Sequence, residues 1–347
     1  MQFLFYVNSP HGDALKDLEW CETHPLGGSE TAVLRLAAAL QRRGHGIEIV
    51  TDLDRLSEYH ADAFISCRDW RALANAPLPG KLNYLWCQDD VDQSIVKDLA
   101  NPDLARQLYD RCTAVVMLST YQWQRWHVVL HLPVDKVFRC HNAVALERYR
   151  IDVSALAKRP PRAYYASVPW RGLQQLVDLW PMVKGAVPEA ELVVASSLKV
   201  YGIQEEDPKM AALYEQARAL PGLVYRGSIA QRDLREVAVT SRALAYPCVF
   251  PETSCIAAME AMAAGAVVVG TTLGALPETA WRNPLIPVGE NWGMVWAFEL
   301  ARVLVDNDYY IDIARQNLAL SQYNSWDNVA TRLLQRVRCD LAAIPGA

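Results

Sequence analysis

The sequence predicts an α/β protein made of two parallel-sheet domains in tandem. Three observations predict it. Strand-length apolar runs alternate with helix-length amphipathic runs from residue 3 to residue 142, and the same alternation restarts at residue 162. Between the two series lie Pro160 and Pro161, flanked by Lys158, Arg159 and Arg162. A proline pair disfavours helix and suits a connector, which sets the domain boundary there. The chain has 347 residues, 52% of them hydrophobic, enough for two cores of ordinary size.

In the first series, strands are expected at 3–9, 46–51, 63–67, 81–87 and 114–118, with a short one at 136–142. Helices are expected over 29–44, 102–111 and 120–129. The second series reads as a strand at 162–167, a helix over 172–186, strands at 191–197 and 223–228, a helix over 231–242 and a strand at 243–248. The nearly all-apolar run 266–271 is that of a strand buried on both faces of a parallel sheet. Val329, Leu333, Leu334 and Val337 then recur at helical spacing near the C-terminus, after Trp326. The domains expected are 1–155 and 160–322, with a terminal helical segment 323–347.

Composition excludes several classes. Charged residues are 21% of the chain and the formal net charge is −5, so there is no nucleic-acid footprint and no acidic tail. The eight cysteines form no CxxC pair and read as reduced core residues. The start of the chain lacks the basic and long apolar regions of a signal peptide, and no run is long enough to span a membrane. A cytoplasmic protein is expected, and the eleven tryptophans leave peripheral contact with the inner membrane face open. The histidines at 24, 127, 131 and 141 have no metal-ligand spacing, and neither HExxH nor GxSxG is present. No metal and no cofactor are expected.

Residues 250–260 carry the densest chemistry. Pro251, Thr253 and Ser254 precede an apolar run that closes at Gly265, which predicts a helix starting near Ser254. A helix start offers unpaired N–H groups and partial positive charge, so a phosphate or diphosphate can rest there without a lysine. Glu252 and Glu260 flank that start, and a carboxylate can bridge a pair of sugar hydroxyls. Equally compatible with the spacing is a simple cap at Glu252 and a solvated Glu260. Elsewhere, Gly27 and Gly28 before the first long helix allow close backbone approach to a ligand, or form a turn with Ser29 as N-cap; they are not part of a GxGxxG.

Seven residues separate the two glutamates, and 261–278 follow with Gly274, Pro277 and Glu278. This pattern resembles the signature of retaining glycosyltransferases of family 4, which have the GT-B fold. The resemblance implies two Rossmann-like domains facing a cleft, with a C-terminal helix returning to the first. It implies that Glu252 lies against the transferred sugar, that Glu260 binds the nucleotide ribose, that amides at Ser254, Cys255 and Ile256 meet the diphosphate, and that Thr253 belongs to the same donor site. It further implies that Gly27 and Gly28 face the donor, that Arg171 before Gly172 and Leu173 reaches the phosphates, and that the turn at Arg226, Gly227, Ser228 and Ile229 reads the base through its backbone. Arginine suits phosphate because its guanidinium grips two oxygens and offsets charge on the leaving group.

The chain departs from the family in three places. Tyr165 and Ala166 stand where relatives carry Gly-Arg, so Lys199 is the nearest replacement for the second phosphate cation. Gln88, followed by Asp89 and Asp90, stands where a histidine touches the donor sugar. The two aspartates read as solvated loop residues without a catalytic role. Asn142-Ala143 replaces the usual Asn-Gly near the acceptor side, which Ser119, Thr120 and Tyr121 also line in the family. The expected activity is retaining transfer of a sugar from a UDP- or GDP-sugar to a glycan, lipid-linked, small-molecule or protein hydroxyl. The alternatives are a noncatalytic sugar-nucleotide-binding or glycan-binding subunit and a nucleotide-sugar 2-epimerase.

Overall fold

The computed structural model describes residues 1–74, 77–203 and 207–344; of the expected terminal segment, 345–347 lie outside the described residues. The chain forms two compact units. Unit 1 comprises Met1–Trp20, Gly27–Ala143 and Ser325–Ala347, and unit 2 comprises Cys21–Leu26 and Val144–Asn324.

Unit 1 holds β1 (Gln2–Val7), β2 (Gly46–Val50), β3 (Ala61–Cys67), β4 (Gly80–Trp86), β5 (Ala114–Met117) and β6 (Val137–Arg139), paired in the order β2-β1-β3-β4-β5-β6 with every pair parallel. Helix Gly28–Gln41 presses Val33, Leu36, Ala37 and Leu40 inward, and helix Trp326–Ala342 packs on it and on β4. That last helix buries Trp326, Val329, Leu333, Leu334 and Val337, the spacing visible in the sequence. It is pinned by Tyr84, whose hydroxyl donates to Asp340 (2.6 Å), and by Arg43, which donates to Thr331 and to the Asp327 carbonyl (both 2.7 Å).

Unit 2 holds β7 (Arg162–Ala166), β8 (Glu191–Ala195), β9 (Leu223–Tyr225), β10 (Ala243–Ala245), β11 (Val267–Thr271) and β12 (Leu285–Ile286), in the order β12-β11-β10-β7-β8-β9, again all parallel. From β7 the chain moves outward one way through β8 and β9, then returns to the other side of β7 for β10. The carboxyl ends of β7 and β10 therefore diverge into a crevice, the topological switch point where α/β sheets take ligands. β11 is buried along its whole length, as its apolar run requires. Fully buried Trp180, Trp296, Tyr165, Tyr246 and Tyr310 fill the core around it.

Arg159, read from composition as connector, anchors the core instead. Its guanidinium donates to the carbonyls of Ala264 (2.8 Å), Ser241 (2.9 Å) and Gly265 (3.2 Å), neutralising the C-terminal end of helix Ile256–Ala263. The 3-10 segment Val153–Lys158 likewise buries Leu156 in the second core, so contacts assign the chain to unit 2 from Val144, ahead of the proline pair. Helices Pro208–Ala219, Trp292–Val305 and Asn307–Ser321 and strand β12 are additions to the elements expected from sequence. The cysteines are free; seven are buried and Cys339 is exposed, so that one is not a core residue. Among the described residues no helix is long and apolar enough to cross a membrane.

Candidate functional site at the sheet switch point

The loops leaving β7 and β10 are pressed together. Gly172 sits at φ +139°, and a Cβ there would lie 2.4 Å from the Pro247 carbonyl oxygen, so only glycine fits. The Val249 amide then donates to the Arg171 carbonyl (3.3 Å). This brings Arg171 against Glu252: one guanidinium nitrogen, Nη1, donates to both carboxylate oxygens, at 2.9 and 3.0 Å. Glu252 is 2% exposed. The Tyr246 hydroxyl donates to its Oε1 at 2.5 Å, and Ser167 Oγ stands 3.3 Å from that hydroxyl. The Arg171 guanidinium also lies 4.8 Å from the centre of the Phe250 ring.

The electrostatics follow from this enclosure. Burial works against the charge on Arg171, but the adjacent carboxylate of Glu252 outweighs it and holds the guanidinium well above its ordinary pKa. Burial, then Cys248 and Glu252, push the Tyr246 hydroxyl well up, so it stays a proton donor. Burial and Glu252 push the Cys248 thiol up to about 12, which makes it an unreactive packing residue.

The turn after Glu252 is fixed from the far side. Gly274 has φ +62°, a Cβ there would lie 2.3 Å from the Glu252 carbonyl oxygen, and the Ala275 amide donates to that oxygen at 2.6 Å. The Gly-Ala-Leu-Pro-Glu run read in the sequence is thus the backing of the Glu252 loop. Helix Ile256–Ala263 begins two residues later than expected, with Cys255 as N-cap and no side-chain cap, because the extended loop continues through Ser254. Glu260 lies half-buried on this helix, and Thr253 is buried before it.

Several buried polar atoms around the same sheet edge have no hydrogen-bond partner: Arg171 Nε, Ser254 Oγ, Ser196 Oγ after β8 and Ser228 Oγ after β9. Gly227, at φ +64°, turns the chain into Ser228. Four orphaned donors and acceptors at the carboxyl ends of four neighbouring strands fit a polar ligand bearing phosphate and hydroxyl groups. Lys199 is exposed in the 3-10 turn Lys199–Tyr201. Tyr165 is a core residue whose hydroxyl donates to the Val168 carbonyl (2.9 Å), so that position supplies no cation. Tyr246 and Ser196 escaped the sequence analysis, which singles out Ser228 and Ser254; a tyrosine at the end of a buried strand carries no local signal of a polar partner.

In unit 1, Gly27 rather than Ser29 is the N-cap of helix Gly28–Gln41. Glu30 accepts from the Gly27 amide (2.9 Å) and from the Ser9 hydroxyl, tying the double glycine to the loop after β1. Gln88 accepts from the side-chain amide of Asn142 (2.9 Å). Asp89 and Asp90 are buried, not solvated: Arg68 grips Asp89 through two nitrogens (2.8 and 2.7 Å), and Arg125 and Tyr121 face Asp90 (2.6 and 3.2 Å). Burial raises the Asp90 carboxyl despite its arginine. Ser119 caps helix Thr120–Leu130 through the Gln122 amide (3.1 Å).

Residues 162–297, which include Arg171, Glu252 and Glu260, match the family model of Glycosyl transferases group 1. No curated protein matches the chain by sequence. Solved structures of similar fold include sucrose-phosphate synthase from Thermosynechococcus elongatus, at TM-score 0.75 and 14% identity over 99% of this chain and 100% of that one. HepE from Anabaena, in complex with UDP-glucose, matches at TM-score 0.73 and 15% identity over 99% and 100%. WaaG, a glycosyltransferase involved in lipopolysaccharide biosynthesis, matches at TM-score 0.68 and 13% identity over 96% and 99%. The two six-stranded parallel sheets with flanking helices are those of these GT-B glycosyltransferases, two Rossmann-like domains in one chain.

Proposed function

We propose that this chain is a retaining glycosyltransferase that moves a sugar from a nucleotide-diphosphate sugar to a hydroxyl-bearing acceptor. The observation that carries the reading is the buried Arg171–Glu252 pair at the switch point, inside the stretch that matches Glycosyl transferases group 1. In this reading Arg171 and the amides of Ser254, Cys255, Ile256 and the first helical turn hold the diphosphate and take up charge as it leaves. Glu252, oriented by Tyr246, faces the transferred sugar, and Glu260 takes the ribose hydroxyls. Thr253, Gly227, Ser228 and Lys199 complete the donor side, and Gly27 and Gly28 approach the donor with their backbone. The turn at Arg226, Gly227, Ser228 and Ile229 takes the base through its backbone groups.

With no side chain assigned as general base among the described residues, the reading has the leaving phosphate accept the acceptor's proton, on the same face from which it departs. A UDP-sugar comes first among donors, because HepE is described with UDP-glucose. GDP-sugars remain the second class, and the domain limits 1–155, 160–322 and 323–347 describe the acceptor-side, donor-side and returning segments of the same reading.

The test is NMR-monitored binding and slow hydrolysis of a panel of UDP-, GDP- and ADP-sugars without acceptor. One donor should be bound and hydrolysed, Glu252→Ala should slow hydrolysis with binding retained, and Glu260→Ala should weaken binding. Binding without turnover in the wild type would point to a noncatalytic subunit. Unchanged behaviour in both folded variants would remove these residues from the site.

A further inference from the structure

Helix Trp292–Val305 carries apolar side chains on both faces, with Glu299 and Arg302 as its charged residues. Its inner face sends Trp296, Leu300, Val303 and Leu304 into the second core. Its outer face leaves Met294, Val295, Phe298 and Val305 exposed, at 53, 49, 65 and 54%. A surface helix ordinarily turns mostly charged and polar side chains to water on that side, whereas here Arg302 stands among four exposed apolar ones. The neighbouring helix Leu173–Ala186 extends the patch: Gly293 seats against Leu179, and Met182, one turn further on, is also exposed.

We propose that this face binds a second copy of the chain, forming a two-fold dimer through antiparallel packing of helix Trp292–Val305 on itself. Two features point to self-association. Phe298, the most exposed of the five apolar side chains, lies at the middle of the helix, where a two-fold axis brings it against its own copy. The charges at the two ends are opposite: Asp178 stands beside Leu179 at the Gly293 end, and Arg302 stands near the other. A two-fold axis through Phe298 reverses the helix and carries each Arg302 toward the other copy's Asp178. Arg302 now pairs with Asp306 at 3.8 Å, a solvent-exposed pair of little worth, and its guanidinium lies 3.7 Å from the centre of the Tyr309 ring, a stacking contact that occupies its face and not its edge nitrogens.

The area is also of the right size. The five side chains form a patch on the order of 400 Å², within the roughly 300–600 Å² of a monomer's largest apolar patch, which is often functional. With Gln174, Asp178, Asn291 and Arg302 as an exposed polar rim, it approaches the roughly 800 Å² per partner of a stable interface. None of these residues belongs to the proposed donor site, so the dimer stands or falls separately from the proposed activity.

Sedimentation velocity of the full chain over about 1–100 μM decides it. The wild type is expected to be a dimer, and Phe298→Asp is expected to weaken association at least about a hundredfold while keeping the melting temperature of a folded protein. Met294→Lys should act in the same direction. Asp178→Arg and Arg302→Asp should each weaken the dimer, and the double exchange should restore it. A wild type that stays monomeric throughout overturns the proposal, as does a Phe298→Asp variant that dimerises as tightly as the wild type. A double exchange no tighter than either single overturns the antiparallel pairing.

Discussion

Removing Glu252 strands a charge, and the cost of that can be worked from the geometry. In Glu252→Ala, Nη1 of Arg171 loses both of its carboxylate contacts, and Nε has no partner to begin with. Breaking a buried ion pair by deleting one member costs about 3–5 kcal/mol, since the survivor stays desolvated. The Arg171 side chain keeps 29% of its surface exposed, so water recovers part of this, and a loss of about 2–4 kcal/mol is expected. Tyr246 adds little, because Ser167 Oγ stands 3.3 Å away as an alternative acceptor. For a domain of this size each kcal/mol moves the melting temperature by about 2–4 °C, so the variant should melt roughly 4–16 °C lower. Arg171→Met in the same background removes the stranded charge, and the double variant should be more stable than the two single losses add up to, by at least about 1.5 kcal/mol. Calorimetry and urea titration of the four proteins measure this. Additivity within about 0.5 kcal/mol would refute the reasoning, since it would mean that the two groups do not sense each other.

Two further outcomes are expected. Gly274→Ala forces a Cβ to within 2.3 Å of the Glu252 carbonyl oxygen at φ +62°, so it should cost more than about 3 kcal/mol and abolish donor hydrolysis; an unchanged urea midpoint would count against the backing role of this loop. His141 is held below its ordinary 6.5 by burial and by Arg332, while its Nδ1 donates to the Asn142 carbonyl. Its unfolded form binds protons more readily than its folded form, so unit 1 should lose stability as pH falls below about 6.5, and His141→Gln should flatten that dependence in urea titrations at pH 7.5 and 5.5.

Much of this protein was legible because its regular elements obey local periodicity. The run Val267–Val269 with Gly270 and Thr271 reads as a doubly buried strand and is one; helix Pro102–Arg111 was bounded by its own proline and arginine. Arg171 and Glu252 were singled out separately, but their meeting depends on the order of β7 and β10 in the sheet, which no local pattern states. Asp89 and Asp90 look like solvated loop acids until Arg68 and Arg125, brought from elsewhere in the chain, neutralise them in place. Tyr165 matched a family position by count yet went to the core, because a strand residue's face is fixed by pleat and neighbours and not by homology of position. Helix Trp292–Val305 shows little contrast between its faces, since Met294, Val295, Phe298 and Val305 are exposed on the outer one.

The interleaved chain path has a consequence for how the molecule is made. The core of unit 1 is not complete until helix Trp326–Ala342 covers helix Gly28–Gln41 and β4, and about 180 residues of unit 2 are synthesised in between. At ~5–20 residues per second, the ribosome leaves the first sheet uncovered for roughly 10–40 s while the second unit emerges whole. The usual order of maturation is therefore reversed: the later unit can settle first, and the earlier one waits with Leu36 and Trp86 open to chaperones until the last helix leaves the exit tunnel.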